Sequence, residues 1–131
     1  MEYYHKKKAN KKMDGQNNLL TVSDQDFANQ VLQSTLPVIV DFTAEWCPPC
    51  HALAPVYEKL SGTYAGTLRF ARLDVDENPI VAAQLGIQGV PTLILFNNGK
   101  PVARMVGPHP GRLKQSIEHA LAENTQPVGE K

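Results

Sequence analysis

The stretch Pro37-Val38-Ile39-Val40-Asp41-Phe42-Thr43-Ala44-Glu45-Trp46-Cys47-Pro48-Pro49-Cys50 joins a nearly continuous apolar run to the only two cysteines of the chain. Residues 37–42 read as a strand covered on both faces. Beyond the cysteines, Leu53, Val56, Tyr57, Leu60 and Tyr64 recur at helical spacing. The pair therefore stands where a buried strand ends and a helix begins. Three uses compete for it. A disulfide across two residues closes a loop too small to remove much chain entropy. A structural zinc site needs about four ligands; His51 is adjacent, but His5, His109 and His119 are scattered. Thiol–disulfide exchange suits the position better. Cys47 falls at the N-cap, with Pro48, Pro49 and Cys50 as the first three helical residues. A helix N-terminus carries roughly +0.5 of a charge and unpaired N–H groups, which favour thiolate over thiol. Cys47 is then the nucleophile and Cys50 the resolving thiol. The two prolines restrict the backbone between them and remove donors from the cap, so Pro48 and Pro49 tune the redox behaviour of the pair.

Working outward, Leu19-Leu20-Thr21-Val22 predicts a first, edge strand, and Ser23 with Asp26 predicts a capped helix start before Phe27, Val31 and Leu32. Leu68 to Val75 alternates as a strand. Asn78-Pro79 reads as an N-cap and first helical residue of a short helix through Leu85, closed by Gly86. Pro91 to Phe96 is a strand, Asn97-Asn98-Gly99-Lys100 carries an Asn-Gly hairpin signal, and Val102 to Val106 returns antiparallel. Leu113, Ile117 and Leu121 predict a closing amphipathic helix. Pro55 should kink the helix after Cys50. The order β-α-β-α-β-α-β-β-α argues for an α/β fold, a central sheet with helices on both faces and an antiparallel hairpin at the end.

At 131 residues the chain has single-domain size. Its first eighteen residues hold five lysines, leaving eight basic and eleven acidic side chains elsewhere, a net of −3. That distribution gives no reason to expect nucleic acid as a partner of the domain. The lysines stand among polar residues with no apolar periodicity, so residues 1–18 are expected to form a disordered basic tail rather than a nucleic-acid arm. The domain is expected over 19–122, with a frayed end over 123–131. No apolar run follows the lysines as a secretory signal would require, and none approaches membrane-spanning length. The expectation is a soluble, cytoplasmic monomer with no membrane partner. A single Cys-x-x-Cys excludes a disulfide-rich secreted framework.

Residues Asp41 to Cys50 resemble the active-site segment of thioredoxins. So do Pro55, Asp76-Glu77-Asn78-Pro79, Gly86 to Thr92, Phe96 to Gly99 and Val106-Gly107, in unbroken order from about Leu19 to Leu121. The resemblance implies a five-stranded mixed sheet flanked by four helices. It also implies a protein disulfide reductase needing no metal or bound organic cofactor. Its substrates would be disulfide-containing proteins, and its electrons would come from NADPH through a flavoprotein thioredoxin reductase. Asp41, on residue type alone either a strand-end acid that reaches water or a buried carboxylate, becomes by resemblance the base acting on Cys50. Arg72 stands where the family often has lysine and can pair with Asp41 without carrying a proton. The resemblance further implies a cis Val90–Pro91 bond and a flat substrate surface of Trp46, Val75, Gly89, Val90, Pro91 and Gly107. There an extended segment would pair with the Val90 backbone.

Two residues depart from the family pattern. Pro48 replaces the usual glycine, and Thr43 stands where an aromatic is common. Cys-Pro-Pro-Cys also resembles thioredoxin-like proteins of oxidising compartments, which typically carry an insert and an export or anchor segment that this sequence does not show. A thiol oxidase, an isomerase or a cytochrome-maturation protein is therefore one alternative, and a non-catalytic binding module is another.

Overall fold

The computed structural model describes residues 18–124. The basic tail expected over 1–18 lies, apart from Asn18, outside the described residues, as does most of the end expected to fray. Five strands, β1 (Leu19–Thr21), β2 (Val38–Thr43), β3 (Arg69–Asp74), β4 (Thr92–Asn97) and β5 (Lys100–Val106), form one sheet in the order β1-β3-β2-β4-β5. The first three in that order run parallel; β4 and β5 are antiparallel to their neighbours. A π-helical segment (Ala28–Leu32) and helices α1 (Pro48–Thr63), α2 (Pro79–Gln84) and α3 (Leu113–Asn124) flank the sheet, the last entered through a 3-10 turn at Pro110–Arg112. The mixed sheet and four helices match the expected architecture. Among the described residues no helix is long and apolar enough to cross a membrane.

The sheet is buried on both faces because β2 and β4 are apolar at nearly every position. Val38, Val40 and Phe42 point to one side, where they pack with Phe27, Val31, Ala71, Leu73 and Val81. Ile39 points to the other, with Leu53, Tyr57, Leu60, Leu113 and Ile117 from α1 and α3. Burying each large aliphatic side chain contributes about 1.5–3 kcal/mol, so the two half-cores supply most of the drive to this arrangement. The same alternation sends Asp41 to the α1/α3 side. A carboxylate thus enters a core through strand periodicity.

Local signals hold at most chain reversals. Ser23 and Asp26 exchange bonds as a capping box does: Ser23 N–H donates to Asp26 Oδ1 at 2.7 Å, and Asp26 N–H to Ser23 Oγ at 3.3 Å. The helix they open is a single π-type segment that spans the apolar positions Phe27, Val31 and Leu32. The Gln30 carbonyl, which a longer α-helix would pair with residue 34, accepts instead from Arg69 Nη1 at 3.2 Å. Leu32 is 39% exposed and does not complete the stripe. Gly86, at φ 69°, ends α2 as expected: its N–H reaches Ala83 O at 3.1 Å and that of Ile87 reaches Ala82 O at 2.9 Å. Asn98 and Gly99 both adopt positive φ in the β4–β5 hairpin. A side chain at Gly99 would meet the Leu32 carbonyl at 2.8 Å.

The start of α2 falls where expected, with Asn78 at the N-cap and Pro79 opening the helix, but another side chain supplies the cap bonds. Asn78 occupies the cap position but makes no side-chain cap bond. Its Oδ1 accepts from Asp24 N–H at 2.9 Å, and the Asp24 carboxylate takes the Ile80 and Val81 N–H groups at 3.1 and 2.9 Å. A charged acceptor can satisfy both donors, whereas a neutral amide oxygen is the weaker partner.

Candidate active site

The cysteines stand where β2 hands over to α1. Cys47 is the N-cap with extended backbone, φ −96° and ψ 108°, and Pro48 and Pro49 open the helix. Neither proline has an N–H. Of the first three helical positions only Cys50 can donate, and its N–H points at Cys47 Sγ at 3.2 Å. The two cysteines are joined as a disulfide, with Cα atoms 5.3 Å apart. Both are buried, at 2% and 3% exposure, while Pro48 and Pro49 face solvent. α1 continues unbroken through Pro55, whose ring nitrogen cannot donate to the His51 carbonyl. His51 pairs through Nε2 with the Glu45 carbonyl. Among the described residues no group of three or more His, Cys, Asp and Glu side chains is placed to hold a metal ion.

Several residues selected from the sequence meet around the pair. Cys47, Ala44 and Cys50 form a small apolar cluster with Val75 and Val90 packed against it. Cys47 Sγ lies 3.6 Å from the Val90 carbonyl oxygen. The Val90–Pro91 peptide is cis. Gly107 N–H donates to Pro91 O at 2.8 Å, which ties the end of β5 to the same loop. Gly89 and Gly107 are exposed, Val75 and Val90 half-buried, and Pro91 buried. Trp46 is 68% exposed, a property its residue type argues against. Its indole N–H donates to Asp76 Oδ2 at 2.7 Å. The Asp76 segment is held in turn by Asp74 Oδ1, which accepts from the Asp76 and Glu77 N–H groups at 2.8 and 3.2 Å.

Sequence reasoning missed two residues of this neighbourhood. Asp76 was read only as part of a motif, and nothing local signals that its carboxylate orients an indole thirty positions away. Val106, 72% exposed and paired with Thr92 next to Pro91, is a large apolar side chain on the solvent side of an edge strand. Its place directly before Gly107 was the available signal.

Asp41 is 3% exposed, and its Oδ1 has no hydrogen-bond partner. Burial pushes its carboxyl up from 3.8 to about 7; the Arg72 guanidinium opposes this only in part. Arg72, which could pair with Asp41, does not do so. The two residues are register partners on adjacent parallel strands, but the guanidinium meets Glu58 Oε2 at 3.8 Å. A long arginine stem lets the charge seek the wetter end of the site, avoiding the desolvation that a fully buried pair would suffer. Nearby, the Tyr57 hydroxyl is fully buried and shared between the Ile39 and Ala71 carbonyls at 2.9 and 2.7 Å. Burial, then the Asp41 charge, raises its pKa well above the ordinary phenol value.

Comparison with known proteins agrees with this geometry. The thioredoxin family model matches residues 18–119. A thioredoxin of Acidithiobacillus ferridurans is 49% identical over 89 residues, covering 68% of this chain and 82% of the relative. One of Alicyclobacillus acidocaldarius is 43% identical over 107 residues, covering 82% of this chain and 98% of the relative. An M-type chloroplastic thioredoxin of Chlamydomonas reinhardtii is 41% identical over 101 residues, 76% of this chain and 72% of the relative. With its cysteine pair capping a helix beside a cis-proline loop on a five-stranded mixed sheet, the chain belongs to the thioredoxin family of thiol–disulfide oxidoreductases.

Proposed function

We propose that the chain reduces protein disulfides by two successive exchanges, with Cys47 as attacking thiolate, Cys50 as resolving thiol and Asp41 as the base that serves Cys50. The observation that carries the reading is the Cys50 N–H aimed at Cys47 Sγ at 3.2 Å, at the positive end of α1. A donor in that position favours charge on Cys47 and leaves Cys50 to follow. In the first step the Cys47 thiolate forms a bond to one substrate sulfur; the substrate disulfide breaks and its second sulfur departs as thiolate, taking a proton from water. In the second, Asp41 takes the proton of Cys50, and the Cys50 sulfur attacks Cys47. The mixed disulfide breaks and the remaining substrate sulfur departs as thiolate, taking a proton from water. Two electrons pass to the substrate and the cysteine pair is left oxidised. A carboxyl that titrates near neutrality is suited to accept that proton at physiological pH.

Trp46, Val75, Gly89, Val90, Pro91 and Gly107 form the proposed substrate surface, to which the structure adds Val106 as a candidate. An extended polypeptide would align with the Val90 backbone there, by strand addition. Return to the dithiol is assigned to a flavoprotein thioredoxin reductase fed by NADPH; the protein itself calls for no metal or organic cofactor. We place this activity in the cytoplasm, carried out by a monomer. Insulin reduction tests the reading. Wild type should be active, Cys47→Ser inert, and Cys50→Ser should accumulate a mixed disulfide through Cys47. Trapping through residue 50 in the Cys47→Ser protein would reverse the roles. The equilibrium reduction potential of the pair separates a reductase from the oxidase or isomerase that Cys-Pro-Pro-Cys also resembles.

A further inference from the structure

The α1/α3 face of the sheet presents two carboxylates to one guanidinium. Asp41 and Arg72 are register partners on parallel strands, so their side chains leave the same face side by side. Glu58 reaches Arg72 from α1 above them, at 3.8 Å. The three differ in exposure: Asp41 is 3% exposed, the Arg72 side chain 32% and the Glu58 side chain 60%. The neighbouring strand and helix on this face contribute apolar side chains. β4 sets Leu93 opposite Asp41, and α3 contributes Leu113 and Ile117. The ionisable residues of α1 are His51, Tyr57, Glu58, Lys59 and the cysteine pair at its start, and of these the Tyr57 hydroxyl is buried against the sheet and Glu58 reaches Arg72. Asp41 Oδ1 makes no hydrogen bond although a guanidinium offers five donors.

We infer that Glu58 is a positioning residue for the resolving step: it engages the Arg72 guanidinium at the protein surface and so keeps that cation from closing onto the Asp41 carboxyl. The inference rests on Asp41 being the base for Cys50. A base hydrogen-bonded to arginine would hold its negative charge too well to take a proton from a thiol at neutral pH. Glu58 guards against that in two ways of the same sign. It draws the guanidinium outwards, and its own charge opposes ionisation of Asp41. An arginine, unlike a lysine, cannot relay the proton itself, so its influence is purely electrostatic and depends on where it is held.

The test titrates Asp41 by carboxyl-carbon NMR in the oxidised protein, where the cysteines do not titrate. It compares wild type, Glu58→Gln, Arg72→Gln and the double variant. Glu58→Gln should lower the Asp41 midpoint by at least about half a pH unit, roughly a threefold change in proton affinity. Arg72→Gln should raise it. With Arg72 replaced, Glu58→Gln should produce less than half the shift seen in its presence. No shift, an upward shift, or an equal shift with and without Arg72 overturns the inference. The pH profile of mixed-disulfide resolution, measured separately, should move with the midpoint. A moved midpoint with an unmoved profile overturns the base role of Asp41 while leaving the Glu58–Arg72 contact as found.

Discussion

The first turns of α1 and α2 both open on proline, yet the N–H groups left to them go to different acceptors. In α2, Pro79 removes one donor, and the Asp24 carboxylate takes the Ile80 and Val81 N–H groups from far along the chain. In α1, Pro48 and Pro49 remove two, and the remaining Cys50 N–H goes to the sulfur of Cys47. One cap is satisfied by the Asp24 carboxylate and serves to hold the π-segment loop against α2. The other is the Cys47 sulfur, reached by a single donor, which in the proposed mechanism gains and loses charge during turnover. Both ends use the same helix electrostatics. They differ in whether the acceptor is meant to change.

Removing the reactive acceptor should give the largest effect. Cys47→Ser should lower insulin reduction by roughly 10²-fold or more, while denaturant unfolding of the reduced protein shifts by under about 1 kcal/mol, because serine is itself a favoured cap. A stability loss matching that of a missing α2 cap would make the two turns alike.

Next comes Asp41, the proposed base for Cys50, which has no counterpart at the α2 turn. Its carboxyl is raised from 3.8 to about 7 on folding, so the folded protein holds this proton more tightly than the unfolded chain. That contribution is fully present below pH 4 and is lost as pH rises through 7. Asp41→Asn should therefore exceed wild type in stability on the order of a few kcal/mol at pH 8, and by almost nothing at pH 4. Urea unfolding at the two pH values checks this. In stopped-flow assays the same variant should slow resolution of the mixed disulfide about tenfold or more, with little effect on the first attack. Equal slowing of both steps would detach Asp41 from the α1 turn.

The structural cap should behave in the opposite way. Asp24→Ala should cost about 1–2 kcal/mol in unfolding free energy and leave insulin reduction unchanged. Lost activity would mean that the α2 cap reaches the active site.

The smallest expected effect sharpens the comparison most. Pro48→Gly restores a donor to the α1 turn. It should raise the thiolate fraction of Cys47 at neutral pH and raise the reduction potential by under about 30 mV. Equilibration against glutathione, with thiolate absorbance alongside, measures both. An unchanged or lower potential would leave the prolines as spacers.

What the sequence determined by itself is whatever depends on neighbours within a few residues. The apolar run at Val38–Phe42, the Ser23–Asp26 box, the Asn98-Gly99 turn, the Gly86 stop and the placement of Cys47 at a helix start all follow from dihedral preference and periodicity. The residues of the proposed substrate surface, Trp46, Val75, Val90, Pro91 and Gly107, were legible mainly through family resemblance, since no local rule brings them together. Only tertiary structure decided the long-range partners. Asp24 rather than Asn78 caps α2, Asp76 holds the Trp46 indole, and Glu58 rather than Asp41 receives Arg72. The physical reason is common to these cases. A polar side chain selects its partner by the balance of hydrogen bonding against desolvation, and that balance exists only once packing has set which groups are near and which are wet.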